Sequence, residues 1–92
     1  MQPLRFGAQR LIRQRLPELR RCGEGRGVAG RLVLRWFITA EGKVIQLKVM
    51  ESSLGDPELE RCILARVKAW RFAAHGGKPV QVVLPFVLAS DG

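Results

Sequence analysis

The sequence predicts an α+β domain of order αββαβ. Its three-stranded antiparallel sheet has the spatial order second, first, third, and two helices pack on one face. Three observations carry this. Residues 30–50, GRLVLRWFITAEGKVIQLKVM, read as an antiparallel hairpin. Amphipathic helical stretches stand before and after it. The closing apolar run, residues 79–89, contains Pro85, which cannot donate to a ladder and therefore belongs at a sheet edge or a bulge.

The hairpin is the centre of the pattern. Along residues 31–39, Leu32, Leu34, Trp36 and Ile38 recur at every second position, with Arg35 and Thr39 on the other side. Residues 43–50 repeat the pattern, with Ile45, Leu47 and Val49 alternating with Gln46 and Lys48. Period-two alternation on both sides of Ala40-Glu41-Gly42 marks a half-buried hairpin whose apolar face needs a cover.

The first helix is expected over residues 9–22, with Leu11, Ile12, Leu16 and Leu19 on one stripe and arginines elsewhere. Pro17 removes one helical hydrogen bond and crowds the preceding turn, so a kink or a fresh start is expected there. Cys22, three residues beyond Leu19, shares its inward face. Gly23-Glu24-Gly25-Arg26-Gly27 ends the helix. The glycine spacing there is not a dinucleotide loop, which follows a strand and opens a helix, the reverse of this order. Gly30 is expected to relieve a close backbone contact.

Asp56 and Pro57 form an N-cap and first-turn pair, and Glu58 and Glu60 suit the positive end of the helix dipole. The second helix is read from there to about Trp70, with Leu59, Ile63, Val67 and Trp70 on one face beside Cys62. In the connection that follows, Phe72 is expected under the sheet, Gly76-Gly77 in a turn, and His75 solvated. The last strand splits into two rows: Val80, Val82, Leu84, Phe86 and Leu88 on one face, and Gln81, Val83, Pro85 and Val87 on the other.

A right-handed crossover through the second helix returns the last strand parallel to the second, and the simplest site for it is beside the first. The expected core is Leu16, Leu19, Leu32, Leu34, Trp36, Leu59, Ile63, Val67 and Leu84.

Ninety-two residues make a single domain, 1–92, with its core over about 11–88. No apolar run reaches the roughly twenty residues of a membrane span, so membrane association is expected only through a region outside this chain. Net charge is +8, and seven arginines fall within the first twenty-six residues, a balance suited to an anionic partner. Cys22, Cys62 and His75 are too few and too scattered for a metal site; the cysteines are either a disulfide or two unrelated buried thiols. Catalysis is not expected either. Glu58 and Glu60 are helix-start charges, Glu41 is a turn residue, Ser52-Ser53 approach a helix, and no nucleophile–base pair emerges. No cofactor is implied.

One ordered series of residues resembles a known family. It runs from Cys22 through Gly30-x-Leu-x-Leu-x-Trp-Phe-Ile-x-x-x-Gly42-x-Val44 to Ser52-Ser53-Leu54-x-Asp56. It continues with Leu59-x-x-Cys62, Trp70-x-Phe72 and Val83-x-Pro85-Phe86. Over residues 11–88 it looks like the AgmX/PglI type of TonB C-terminal domain. The resemblance implies the αββαβ fold and a non-catalytic periplasmic module at the C-terminal end of a longer, inner-membrane-anchored, envelope-spanning protein. It also implies TonB-like energy transduction or gliding motility as the setting, and a Cys22–Cys62 disulfide, which an oxidising compartment permits.

In such domains the last strand accepts an extended segment of an outer-membrane or periplasmic protein by β-strand addition. Here that edge is Val80, Gln81, Val82, Val83, Leu84, Phe86 and Val87, with the N-terminal segment or a second copy of the chain as competing occupants. Arg10, Arg13, Arg20 and Arg21 are candidates for contact with an anionic surface. The alternative is a small basic nucleic-acid-binding domain, which the charge supports but the lack of a basic–aromatic platform opposes. An oxidised cysteine pair argues for the envelope and reduced thiols for the cytosol.

Overall fold

Apolar side chains at every second position of the first strand leave the chain one way to hide them: a sheet with its even-numbered face under helices. In the computed structural model, which describes residues 8–89, the elements are α1 (Ala8–Cys22), β1 (Gly30–Ile38), β2 (Val44–Ser52), α2 (Pro57–Lys68) and β3 (Val80–Leu88). The sheet order is β2-β1-β3, antiparallel throughout, as expected. Leu32, Leu34, Trp36 and Ile38 of β1 are completely buried beneath Leu19 of α1 and Leu59, Ile63 and Val67 of α2. Trp70 and Phe72 close the end of this core around Trp36. Leu16 and Leu84, expected inside, are only half-buried and pack against its margin.

Local chemistry explains the element ends. Asp56 caps α2 by accepting from the Leu59 N–H at 3.1 Å. The same carboxylate receives a two-pronged contact from Arg26, Nε to Oδ2 at 2.7 Å and Nη2 to Oδ1 at 2.9 Å, which ties the loop after α1 to the start of α2. The Arg26 contact, with the Leu59 N–H behind it, holds the Asp56 carboxyl below its ordinary range. Gly42 closes the hairpin at φ 94°, and a β-carbon there would collide with the Phe72 carbonyl. Gly30 does relieve a close contact: at φ 154° it lies so near Ser53 that a β-carbon would meet its carbonyl oxygen at 2.9 Å.

Three local expectations are corrected. First, of the two outcomes expected at Pro17 the fresh start does not occur: the residue lies on the exposed side of one continuous helix. The missing N–H leaves a carbonyl one turn earlier, on a surface that water reaches. Second, Ile45 does not share the covered row with Leu47 and Val49. It stands opposite Phe37 on the open face, because Gln46, at φ 53°, inserts an extra residue and reverses the alternation. Leu47 reaches the core margin, whereas Val49, opposite Leu34 but at the sheet edge, stays 37% exposed. Third, His75 is half-buried, not solvated: its backbone N–H donates to the Ala40 carbonyl, and its Nδ1 accepts from the Gly77 N–H.

Cys22 and Cys62 are joined in a disulfide, with Cα atoms 5.9 Å apart. It binds the last turn of α1 to the middle of α2. Beside it Glu18 accepts from the Trp70 indole N–H and pairs with Arg15, both at 3.3 Å.

Candidate functional site

A three-stranded sheet has two edges, and in this domain they differ. The edge of β2 is closed to regular pairing. Lys43 at its start bridges Arg71, with the Phe72 N–H on the Gly42 carbonyl at 2.8 Å and the His75 N–H on the Ala40 carbonyl at 2.9 Å. Further along, two register shifts and the left-handed Gln46 interrupt it. Bulges of this kind re-aim backbone groups and block edge-to-edge pairing. By contrast β3 pairs with β1 over nine consecutive residues without a shift, from Gly30 opposite Leu88 to Ile38 opposite Val80.

Which β3 groups face outward follows from the ladder. Arg31 donates to Ser53 and accepts from the Ser53 N–H, and Thr39 donates to the Lys43 carbonyl, so odd-numbered β1 residues aim their backbone at β2. Even-numbered β1 residues therefore aim at β3 and bind its even-numbered partners, among them Val82, Leu84 and Phe86. The odd-numbered β3 residues are left with backbone groups toward the open edge. Their donors are the N–H groups of Gln81, Val83 and Val87, and their acceptors the carbonyls of Gln81, Val83, Pro85 and Val87. Pro85 sits where its missing N–H costs the sheet nothing.

The edge residues named from sequence therefore separate into two sets. Gln81, Val83 and Val87 supply backbone groups left unpaired among the described residues and exposed side chains, Val83 at 53% and Val87 at 59% exposure. Val82 and Phe86 are buried, and Val80 and Leu84 half-buried; their backbone is already committed to β1. The outer face of the sheet continues the exposed row with Val33, Phe37 and Ile45, uncovered by either helix. Phe37 is the sole aromatic on that face among the described residues, and the Arg35 guanidinium lies 5.8 Å from its centroid.

On the helical side, α2 packs on β2 and α1 on α2, and the C-terminal end of α1 meets β3. The Arg20 guanidinium sits 5.7 Å above the Phe86 ring, and Leu88 packs beside Gly23. Arg10, Arg13, Arg20 and Arg21 are all exposed. Of the seven N-terminal arginines, Arg5 lies outside the described residues. Sequence reasoning missed the Arg20–Phe86 stacking and the Arg26–Asp56 pair, since neither has a signature short of knowing which elements meet. No group of three or more potential metal ligands occurs among the described residues, and no helix there is long and apolar enough to cross a membrane.

The family described as the Gram-negative bacterial TonB protein C-terminal matches residues 24–87, most of the chain. The chain belongs to this family. TonB C-terminal domains are periplasmic, non-enzymatic interaction modules of energy-transducing complexes, and they contact outer-membrane proteins. Among solved structures, the TonB C-terminal domain of Helicobacter pylori superposes with a TM-score of 0.66 at 19% identity, over 91% of this chain and 81% of that one. The Pseudomonas aeruginosa TonB C-terminal domain gives 0.58 at 24% identity, over 78% and 76%. At such identities the likeness is one of fold. No curated protein matches the chain.

Proposed function

We propose that this domain binds an extended segment of an outer-membrane or periplasmic protein by β-strand addition along the outer edge of β3. It does so as the C-terminal module of a longer, inner-membrane-anchored protein. The observation that carries this is the contrast between the edges: among the described residues β3 is regular and open, with unpaired groups at Gln81, Val83 and Val87, while β2 is bridged and bulged. Main-chain hydrogen bonds along such an edge supply affinity, and the alternating side chains supply selectivity. The ordered residue series quoted above, with the Cys22–Cys62 pair, supports the AgmX/PglI branch and a gliding-motility setting. The oxidised pair and the single, arginine-capped Phe37 on the open face argue against the nucleic-acid alternative.

Site-directed photo-crosslinking in intact cells tests the edge. A benzophenone amino acid at Gln81, Val83 or Val87 is expected to trap an outer-membrane or periplasmic protein, whereas the same group at Ile45 or Met50 traps none. Val83→Pro removes one edge donor without touching the ladder to β1, and is expected to abolish the crosslinks from Gln81 and Val87 in a folded domain. Equal trapping from both edges would overturn the assignment.

A further inference from the structure

An added strand on β3 would lie in a cleft with two unlike walls. On the helical side the wall begins at the C-terminal end of α1, which meets β3 at Phe86 and Leu88. Arg20 is held there by its seat over Phe86, and Arg13, seven residues earlier and so two turns back on the same flank, continues the row toward the N-terminus. Both are exposed. The single carboxylate of α1, Glu18, is turned the other way, toward Trp70 and Arg15, and neutralises nothing on this side. On the outer side the wall is apolar, formed by Val83, Pro85 and Val87 beside Val33 of β1.

We infer that the β3 edge selects an acidic–apolar alternating strand, with carboxylates at every second position facing Arg13 and Arg20 and branched apolar side chains on the outer face. This rests on the strand-addition reading and adds the chemistry of the partner to it. The alternation is dictated by the pleat: partner residues opposite Val82, Leu84 and Phe86 point toward α1, and those opposite Val83 and Val87 point outward. A second copy of the chain does not meet the requirement, because β3 itself, VQVVLPFVL, has no carboxylate to set against the arginines.

The test uses the isotope-labelled domain and three synthetic nonapeptides that differ only in the alternating position, occupied by Glu, Thr or Lys between valines. Amide shifts along β3 report docking, and titrations report affinity. The Glu peptide is expected to bind about fivefold more tightly than the Thr peptide at low salt, as befits two exposed charge contacts, and the Lys peptide most weakly. The Glu advantage should shrink as salt is raised. Arg13→Glu combined with Arg20→Glu, with the fold checked by circular dichroism, is expected to invert the ranking.

Equal binding of all three peptides, with β3 amides shifting in each, would overturn the acidic preference and leave strand addition standing. Shifts from none of them, together with absent crosslinks from β3, would remove strand addition itself. A Glu preference that survives the double charge reversal would overturn the role of the α1 flank. Protection of the β3 edge by self-association without peptide would replace the acidic partner with a second copy.

Discussion

Replacing Cys22 and Cys62 together by serine is expected to lower the free energy of unfolding by about 4 kcal/mol. The bridge spans forty residues, from the last turn of α1 to the middle of α2. On the chain-entropy account a loop of that length denies the unfolded chain this much freedom. For a domain of this size the corresponding fall in melting temperature is roughly 15–30 °C. Both cysteines are half-buried, so serine introduces no deeply buried hydroxyl that would confuse the result. Thermal unfolding of the wild-type domain with a phosphine reductant should give the same shift. The consequence reaches the site. Without the bridge α1 is held mainly by Ala8, Ile12 and Leu19, and its arginine flank loses its fixed place beside β3.

Trp36→Ala is expected to cost about 3–5 kcal/mol, measured by urea unfolding. The indole is completely buried, in edge-to-face contact with Trp70 at 5.9 Å and tilted against Phe72 at 6.4 Å. It lies on the central strand directly opposite Val82, so the cavity would open beneath the strand whose outer edge is free. Trp36→Phe should lose less than half as much. It keeps most of the apolar volume and removes an indole N–H that has no hydrogen-bond partner among the described residues. A large loss on alanine substitution with no effect on peptide affinity would show that the edge is rigid independently of the core.

Much of this is legible in the sequence. The even-numbered row of β1 announced a sheet with one covered face. Pro85 pointed to an edge position for β3, and Asp56-Pro57 marked the start of α2 within a residue. Which residues of β3 face that edge comes from the ladder itself: Pro85 stands opposite Val33, with its nitrogen turned away from β1, and the odd-numbered residues share that side. The rest depended on tertiary context. Gln46 carries nothing in its side chain that announces a left-handed residue, yet it moved Ile45 to the opposite face. Leu88 and Phe86 became core only because the C-terminal end of α1 lies over them. In the sequence Arg20 is one of four equivalent candidates for an anionic surface; its fixed position depends on a ring sixty-six residues away.

Amide hydrogen exchange along β3 in the free domain tests the central claim most directly, because it reads the two sides of one strand separately. The ladder geometry predicts alternation: Val82, Leu84 and Phe86 protected, Gln81, Val83 and Val87 exchanging at nearly unprotected rates, and the latter becoming protected when an extended segment docks. Uniform protection of all six in the free monomer would contradict the account, since the edge would then already be covered.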